Sequence, residues 1–142
     1  MSKEALKEII KKRYKKREEF ANEVGLSLSH LTRILNNREF DYNFKTILKI
    51  AKTLDISILY FILEHEKYLK NRYKDIDYFE ILSKNMKQLR HNKNWSQKKV
   101  AEISELSLRT YCSIEGNRMD NLKVSTIIKL NRVYKTSLKN FF

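Results

Sequence analysis

Apolar side chains recur every three or four residues along most of the chain, which is the spacing of one face of an α-helix. Phe79, Leu82, Met86 and Leu89 form one such stripe. A second series predicts two short helices separated by Gly25, then a longer helix and a further apolar stretch. Its members are Phe20, Val24, Leu26, Leu28, Leu31, Ile34, Phe44, Ile47, Ile50, Ala51, Leu54 and Ile58. No run of strand length alternates with a period of two, so the pattern predicts an all-α fold.

The same pattern occurs twice. Residues 20–62 align without gaps to residues 100–142, a shift of 80 residues, and 12 of the 43 aligned positions are identical. Composition alone would give about three or four identities, so the match indicates an internal repeat. We therefore predict two tandem five-helix domains, residues 1–68 and 78–142, joined by a connector over residues 69–77.

Composition supports helices and suggests the partner. The 142 residues include two glycines and no proline, too few for a turn-rich β fold. A net charge of +13 favours a phosphate-rich partner, with nucleic acid first and an anionic membrane surface second. The longest apolar run, residues 58–63, is too short to span a bilayer, and the N-terminus does not resemble a signal peptide. With a single cysteine, which favours a reducing compartment, these features predict a cytoplasmic protein.

Catalytic and metal-binding motifs are not evident. The three histidines are scattered and two glycines cannot build a phosphate-cradling loop, so we expect no enzyme activity, metal, cofactor or small-molecule substrate. Cys112 is expected to be a half-buried helical residue, with a nucleophile or redox sensor as the alternative. Trp95 is expected to fill the core, with stacking on unpaired bases as the alternative.

A set of residues in the second copy resembles the helix-turn-helix core of the lambda-repressor/Cro-like (xenobiotic-response-element) family. The set comprises Ser96, Gln97, Val100, Ala101, Leu106, Ser107, Thr110, Ile114, Glu115, Gly116, Asn117 and Arg118. The first copy resembles it more loosely, through Phe20, Ala21, Gly25, Leu26, Ser27, Leu31, Ile34, Asn37 and Arg38. The resemblance implies two lambda-repressor-like domains that bind duplex DNA of specific sequence as a repressor-like transcriptional regulator. Residues 28–35 and 108–115 would be the recognition helices.

The resemblance also assigns contact residues. Those that would read bases are Leu28, Ser29, Arg33, Leu108, Arg109 and Ser113. Arginine can bond two acceptors of guanine, serine can donate or accept, and leucine can contact the thymine methyl group. Those that would bind phosphate are Arg17, Asn37, Arg38, Gln97, Asn117 and Arg118. For the charged residues the alternative is a solvated surface.

Elementary packing accounts for other positions. Ala21 and Ala101 are small where two helices must cross closely, and Ser27 and Ser107 are placed to cap the helix that follows. Gly25 is expected to have a positive φ in the turn.

The two copies differ at informative positions. A buried ion pair common in the family is matched by Arg90 and Glu115, and the equivalent first-copy residues are Ile10 and Leu35. Glu105 stands where the turn glycine is expected, so we expect a strained or remodelled turn there. Gly116 follows the second recognition helix, and its equivalent, Asn36, is expected to replace it at the helix end because asparagine tolerates the left-handed conformation.

Assembly and alternative functions remain open from sequence. We expect packing between the units or between chains, including a homodimer, through an apolar helix over residues 56–69. Its apolar residues are Ile56, Ile58, Leu59, Phe61, Ile62, Leu63 and Tyr68. The alternative function is a protein-interaction adaptor, such as an antitoxin or a phage or plasmid inhibitor, in which one or both recognition faces bind protein. Nonspecific RNA binding is a third hypothesis.

Overall fold

The chain divides into two compact units, Met1–Lys74 and Asp75–Phe142. The computed structural model describes residues 3–36, 42–63, 65–135 and 141–142, and over these the regular secondary structure is helical. This confirms the predicted all-α class. The first unit contains α1 (Glu4–Arg13), α2 (Arg17–Val24), α3 (Leu28–Leu35), α4 (Phe44–Leu54), α5 (Leu59–Leu63) and a 3-10 helix (Glu66–Lys70). The second contains α6 (Tyr78–Asn92), α7 (Gln97–Ile103), α8 (Leu108–Glu115) and α9 (Val124–Tyr134).

The core of the first unit is the apolar stripe that the sequence predicted. Most of its fully buried side chains come from α1 to α4, and Tyr60 of α5 adds to them, so α2 and α3 are held against the other helices. They include Leu6, Phe20, Ala21, Leu31, Ile34, Phe44, Ile47, Ala51 and Leu54. Arg13, part of the basic run of residues 11–17, also has a structural role. Its Nη1 donates to the carbonyl oxygen of Leu54 at 2.8 Å, at the end of α4, where intrahelical partners run out.

The helix predicted over residues 56–69 is wrong. The chain instead forms α5 and the separate 3-10 helix, with His65 between them in an extended conformation (φ −121°, ψ 125°). The Nδ1 atom of His65 accepts from the backbone N–H of Lys67 at 3.1 Å and so caps a new helix. Four of the apolar residues expected to form a free interface, Ile56, Ile58, Phe61 and Ile62, are buried within the single chain; only Leu63, 42% exposed, is strongly solvent-facing.

The buried face of α6 keeps Leu82 and Met86 of the predicted stripe but is shifted towards Tyr78 and Ser83. Asp77 caps the helix by accepting from the N–H of Glu80, and the buried positions are Tyr78, Leu82, Ser83 and Met86. Phe79 and Leu89 are half-buried. The hydrophobic pattern did not predict that Ser83 is buried, because serine is polar. Its hydroxyl donates to the carbonyl oxygen of Glu115 at 2.6 Å. That bond satisfies a carbonyl at the end of α8.

The helix ends repeat between the units. Asp55 and Lys135, 80 residues apart, end α4 and α9 in the same left-handed conformation, with φ values of 55° and 49°. Residues 136–140, where most of the fifth helix predicted for the second copy would fall, lie outside the described residues.

Candidate nucleic-acid interface

The turn between α2 and α3 closes on a left-handed residue. Gly25 has φ 82°, and the N–H of Leu26 reaches back to the carbonyl oxygen of Ala21 at 2.9 Å. This bond spans the turn as in a Schellman motif, which needs a residue with positive φ at its centre. The predicted role of Gly25 is confirmed. Ala21 is fully buried, as expected of a small residue at a close helix crossing.

Glu105 occupies the same conformation in the second unit. Its φ is 58°, and the N–H of Leu106 donates to the carbonyl oxygen of Ala101 at 2.9 Å, as at the equivalent first-unit positions. The backbone of the turn is therefore retained and the strain is borne by a residue with a Cβ atom. Of the two sequence expectations, strain is confirmed and remodelling is not.

Gly116 and Asn36 lie at the ends of α8 and α3 as predicted, but neither has a left-handed conformation. Gly116 has φ −82° and Asn36 has φ −92°. The left-handed residue after α8 is Asn117, with φ 53°, because the N–H of Arg118 bonds to the carbonyl oxygen of Ser113. The left-handed position therefore lies one residue after Gly116, although α8 itself ends at Glu115 as predicted.

The hydroxyl groups of Ser27 and Ser107 cap the N-termini of α3 and α8. The Oγ of Ser27 accepts from the N–H of His30 at 3.1 Å, and the Oγ of Ser107 accepts from the N–H of Thr110 at 3.0 Å. The predicted caps and both predicted helix ranges, residues 28–35 and 108–115, are confirmed. The first turn of each helix thus offers an ordered outer face.

The outer face of α3 brings together the three predicted base-reading residues of the first unit. Leu28 is 43% exposed, and Ser29 and Arg33 are also exposed. The opposite face, Leu31, Ile34 and Leu35, is buried. An apolar, a hydroxyl and a guanidinium group therefore face solvent on one short helix.

The outer face of α8 differs. Leu108 is 46% exposed and Arg109 is exposed, but Ser113 is half-buried and its hydroxyl donates to the carbonyl oxygen of Thr110 at 2.7 Å. Thr110 is exposed and was not among the predicted contacts, although its position in the first turn of α8 could have indicated it. Arg109 and Arg118 flank a groove of about 490 Å³, which Thr110, Cys112 and Ser113 also line.

The predicted phosphate-binding residues have different surroundings. Arg17 is exposed at the start of α2, and Arg118 is exposed with its guanidinium over Gly116. Asn117 is exposed, but its conformation also gives it a structural role as the helix-ending residue. Asn37 and Arg38 lie outside the described residues.

Gln97 is held inside the second unit. Its Nε2 donates to Glu115 at 3.4 Å, and its Oε1 accepts from the thiol of Cys112 at 3.3 Å. Both bonds would have to yield, at least in part, for Gln97 to turn outward. Cys112 is half-buried, as expected.

A buried ion pair lies beneath α8. Arg90 donates to both carboxylate oxygens of Glu115, at 2.7 and 2.9 Å, and the two side chains are 14% and 2% exposed. Burial alone would raise the pKa of the Glu115 carboxyl, but hydrogen bonds from Arg90, Tyr111 and Gln97 outweigh it and hold that pKa below its ordinary value. The equivalents, Ile10 and Leu35, are 3% and 1% exposed, so each unit satisfies this site in its own way.

Trp95 and Ile103 have surroundings that the sequence did not predict. Trp95 is half-buried and stacks on Tyr134, with ring centroids 5.9 Å apart, while the ammonium groups of Lys93 and Lys99 lie over its ring. Ile103 is 46% exposed and was missed. Under the shift of 80 residues Ile103 aligns with the charged residue Glu23, which is also exposed, and this could have indicated that Ile103 faces solvent.

The part of the chain that the structure describes contains neither a candidate metal cluster nor a candidate membrane-spanning helix. Among the described parts of the chain, no group of three or more histidine, cysteine, aspartate or glutamate residues is arranged to hold a metal ion. No helix in the described ranges is long and apolar enough to cross a bilayer.

The comparison with known proteins that gave a match concerns the first unit. Neither the curated proteins nor the solved structures gave a significant match to the chain. A family model did match, over a segment that runs from within α1 to within α5 and so contains α2, the turn and α3. Residues 6–61 match the helix-turn-helix family, a family of DNA-binding regulators that are generally not enzymes.

Proposed function

We propose that this protein is a transcriptional regulator that binds duplex DNA of specific sequence, with α3 and α8 as its recognition helices. The observation that carries the proposal is the exposed outer face of α3, with Leu28, Ser29 and Arg33, in the segment that matches the helix-turn-helix family. A helix of this size enters the major groove with its first turns against the base edges. The capping bond from Ser27 keeps that turn ordered.

The second unit would supply the other recognition helix. Residues 80 apart share the capping serine, the left-handed turn and the exposed leucine at the helix start. These features support a tandem pair of helix-turn-helix domains over residues 1–68 and 78–142. Two such helices on one chain could fill two half-sites without a dimer, and a homodimer would contact four.

Charge would supply much of the affinity. The protein carries 30 lysine and arginine residues against 17 acidic ones. Neutralising phosphates releases condensed counterions, so binding should weaken steeply as salt rises. Arg17 and Arg118 are the exposed cationic phosphate candidates that the structure describes.

The test is selection from random duplexes, followed by gel shift with the full chain. We expect one enriched sequence, with Arg33→Ala and Arg109→Ala each weakening it by about 5- to 150-fold, which corresponds to about 1 to 3 kcal/mol. Lys49→Ala and Arg132→Ala are matched controls, because they remove one exposed charge from α4 and α9. No enriched sequence, or loss no greater than in the controls, would refute the proposal.

A protein-interaction adaptor is the second candidate, favoured by the α7–α8 turn. Ile103 and Leu108 are each 46% exposed there, and the neighbouring Glu102 and Glu105 are exposed and acidic. Exposed apolar and acidic groups favour contact with a protein partner over contact with the negatively charged phosphate backbone of DNA. An adaptor would bind a protein partner through Leu28 or Leu108 and show no duplex preference. RNA competitors in the same gel shift test the third hypothesis, nonspecific RNA binding.

A further inference from the structure

The arginine of the recognition face changes place between the two units. Under the shift of 80 residues, Ser29 corresponds to Arg109 and Arg33 corresponds to Ser113, whereas Leu28 and Leu108 occupy the same position. The long basic side chain is thus in the second turn of α3 but in the first turn of α8.

Local hydrogen bonds engage the other polar side chains of α8 and leave Arg109 available. Ser113 is half-buried and donates its hydroxyl to Thr110, and the hydroxyl of Ser107 donates to that of Thr110 at 2.8 Å. The side chains of Arg33 and Arg109 are exposed, and among the described residues neither guanidinium makes a hydrogen bond or ion pair. On α8 the group most available for a base edge is therefore Arg109.

The shift of the arginine by four residues corresponds to a distance along the DNA. Residues 29 and 33 lie on one side of α3, about 6 Å apart along its axis at 1.5 Å per residue. Successive base pairs are about 3.4 Å apart. With the helix axis lying along the major groove, an arginine displaced by one helical turn would reach a guanine displaced by about two base pairs.

We propose that the two units read guanine at different places in their half-sites. Within each half-site the base pair contacted by the exposed leucine is the common reference. The guanine bound by Arg33 lies about two base pairs from that reference, and the guanine bound by Arg109 lies at or next to it. The operator would then be two unequal half-sites, each with a thymine that meets leucine. The inference rests on the proposed DNA-binding function and deepens it.

The experiment maps base preference with four variants of the full chain. Leu28→Ala and Leu108→Ala each mark the reference base pair of one half-site, and Arg33→Ala and Arg109→Ala each mark its guanine. Selection with every variant shows which position loses preference. We expect the arginine-dependent and leucine-dependent positions to be about two base pairs farther apart in the first half-site, with about 5- to 150-fold lost discrimination at each guanine.

An exchange variant provides an independent test. Ser29→Arg combined with Arg33→Ser gives α3 the arrangement of α8, so its guanine should move about two base pairs towards the reference. Both positions are exposed, so circular dichroism should show an unchanged helix content.

Each outcome separates this inference from the proposed function. Equal separations in the two half-sites, or a guanine that stays in place in the exchange variant, would overturn the inference while leaving sequence-specific binding intact. A selected site that responds to the α3 variants but to neither α8 variant would overturn it too. A wild-type chain that enriches no sequence would refute both.

Discussion

At the residue scale, the clearest difference between the units is how each fills one buried site. Arg90 and Glu115 form a buried ion pair in the second unit, and Ile10 and Leu35 fill the equivalent positions of the first. A buried charge is costly when it is alone, but an ion pair and a well-packed apolar pair can be nearly equivalent.

We expect Arg90→Ile alone to lower the free energy of unfolding by about 3 to 5 kcal/mol, because it leaves the Glu115 carboxylate buried without its partner. Arg90→Ile combined with Glu115→Leu, which copies the first unit, should recover most of the loss. Denaturant unfolding of the three proteins measures this. A double variant as unstable as the single one would contradict the expected exchange.

The same pair predicts a dependence on acid. The pKa of Glu115 lies below its ordinary value of 4.5 in the folded protein, so its contribution to stability is fully present above pH 4.5. As the pH falls through the folded pKa, the carboxylate takes up a proton and the contribution is lost. Thermal unfolding of wild type and Glu115→Gln should therefore differ most near neutral pH and converge in acid. A difference that does not depend on pH would argue against this linkage.

Glu105 is a second residue whose cost can be measured. A left-handed conformation costs a residue with a Cβ atom about 1 to 2 kcal/mol. We expect Glu105→Gly to raise the free energy of unfolding by about 1 kcal/mol, as judged by denaturant unfolding. Gly25→Ala is the matched opposite. Nothing lies within 4 Å of an added Cβ atom at Gly25, so its expected loss comes from the backbone alone. If both substitutions changed the free energy of unfolding in the same direction, this explanation would be contradicted.

At the element scale, α3 and α8 are each eight residues long and depend on their first turns. An isolated helix of this length is marginal, so capping and the buried face must hold it. The cap also orders Leu28 and Leu108, which begin the two helices.

Ser27→Ala and Ser107→Ala should each lower stability by about 0.5 to 2 kcal/mol, because each removes the acceptor for an N–H in the first turn. Calorimetric unfolding measures the loss. Ser29→Ala is the control, since Ser29 is exposed in α3 and does not supply the cap. If Ser29→Ala were as destabilising as Ser27→Ala, capping would not be the cause.

At the scale of the whole molecule, positive charge is present in both units. The basic run of residues 11–17 belongs to the first, and Arg109 and Arg118 belong to the second. A net charge of +13 would attract any duplex, so the proposed sequence specificity would have to come from the outer faces of α3 and α8.

Arg118→Ala should weaken binding to all duplexes alike and reduce the slope of log affinity against log salt by about one. The reason is that its exposed guanidinium, beside the end of α8, is placed for a phosphate rather than a base. Gel shifts at several salt concentrations give the slope, with Arg132→Ala as the control. A sequence-dependent loss with an unchanged slope would instead make Arg118 a base-reading residue.

The sequence by itself determined the helical class, the ranges of α3 and α8, their serine caps and the left-handed turn at Gly25. These features depend on spacing and on single-residue backbone preferences, which a chain expresses locally. The buried pair Arg90–Glu115 was also predictable, but only through the family resemblance.

Other features were decided by tertiary structure, since they depend on which groups meet across the fold. The buried face of α6 includes Ser83 because the end of α8 presents a carbonyl group to it. Residues 56–69 divide into two helices because His65 caps the second. Gln97 and Ser113, both assigned to DNA by pattern, bond within the second unit. A residue type states what a side chain can bind, whereas the neighbours that folding brings to it decide which of those bonds it makes.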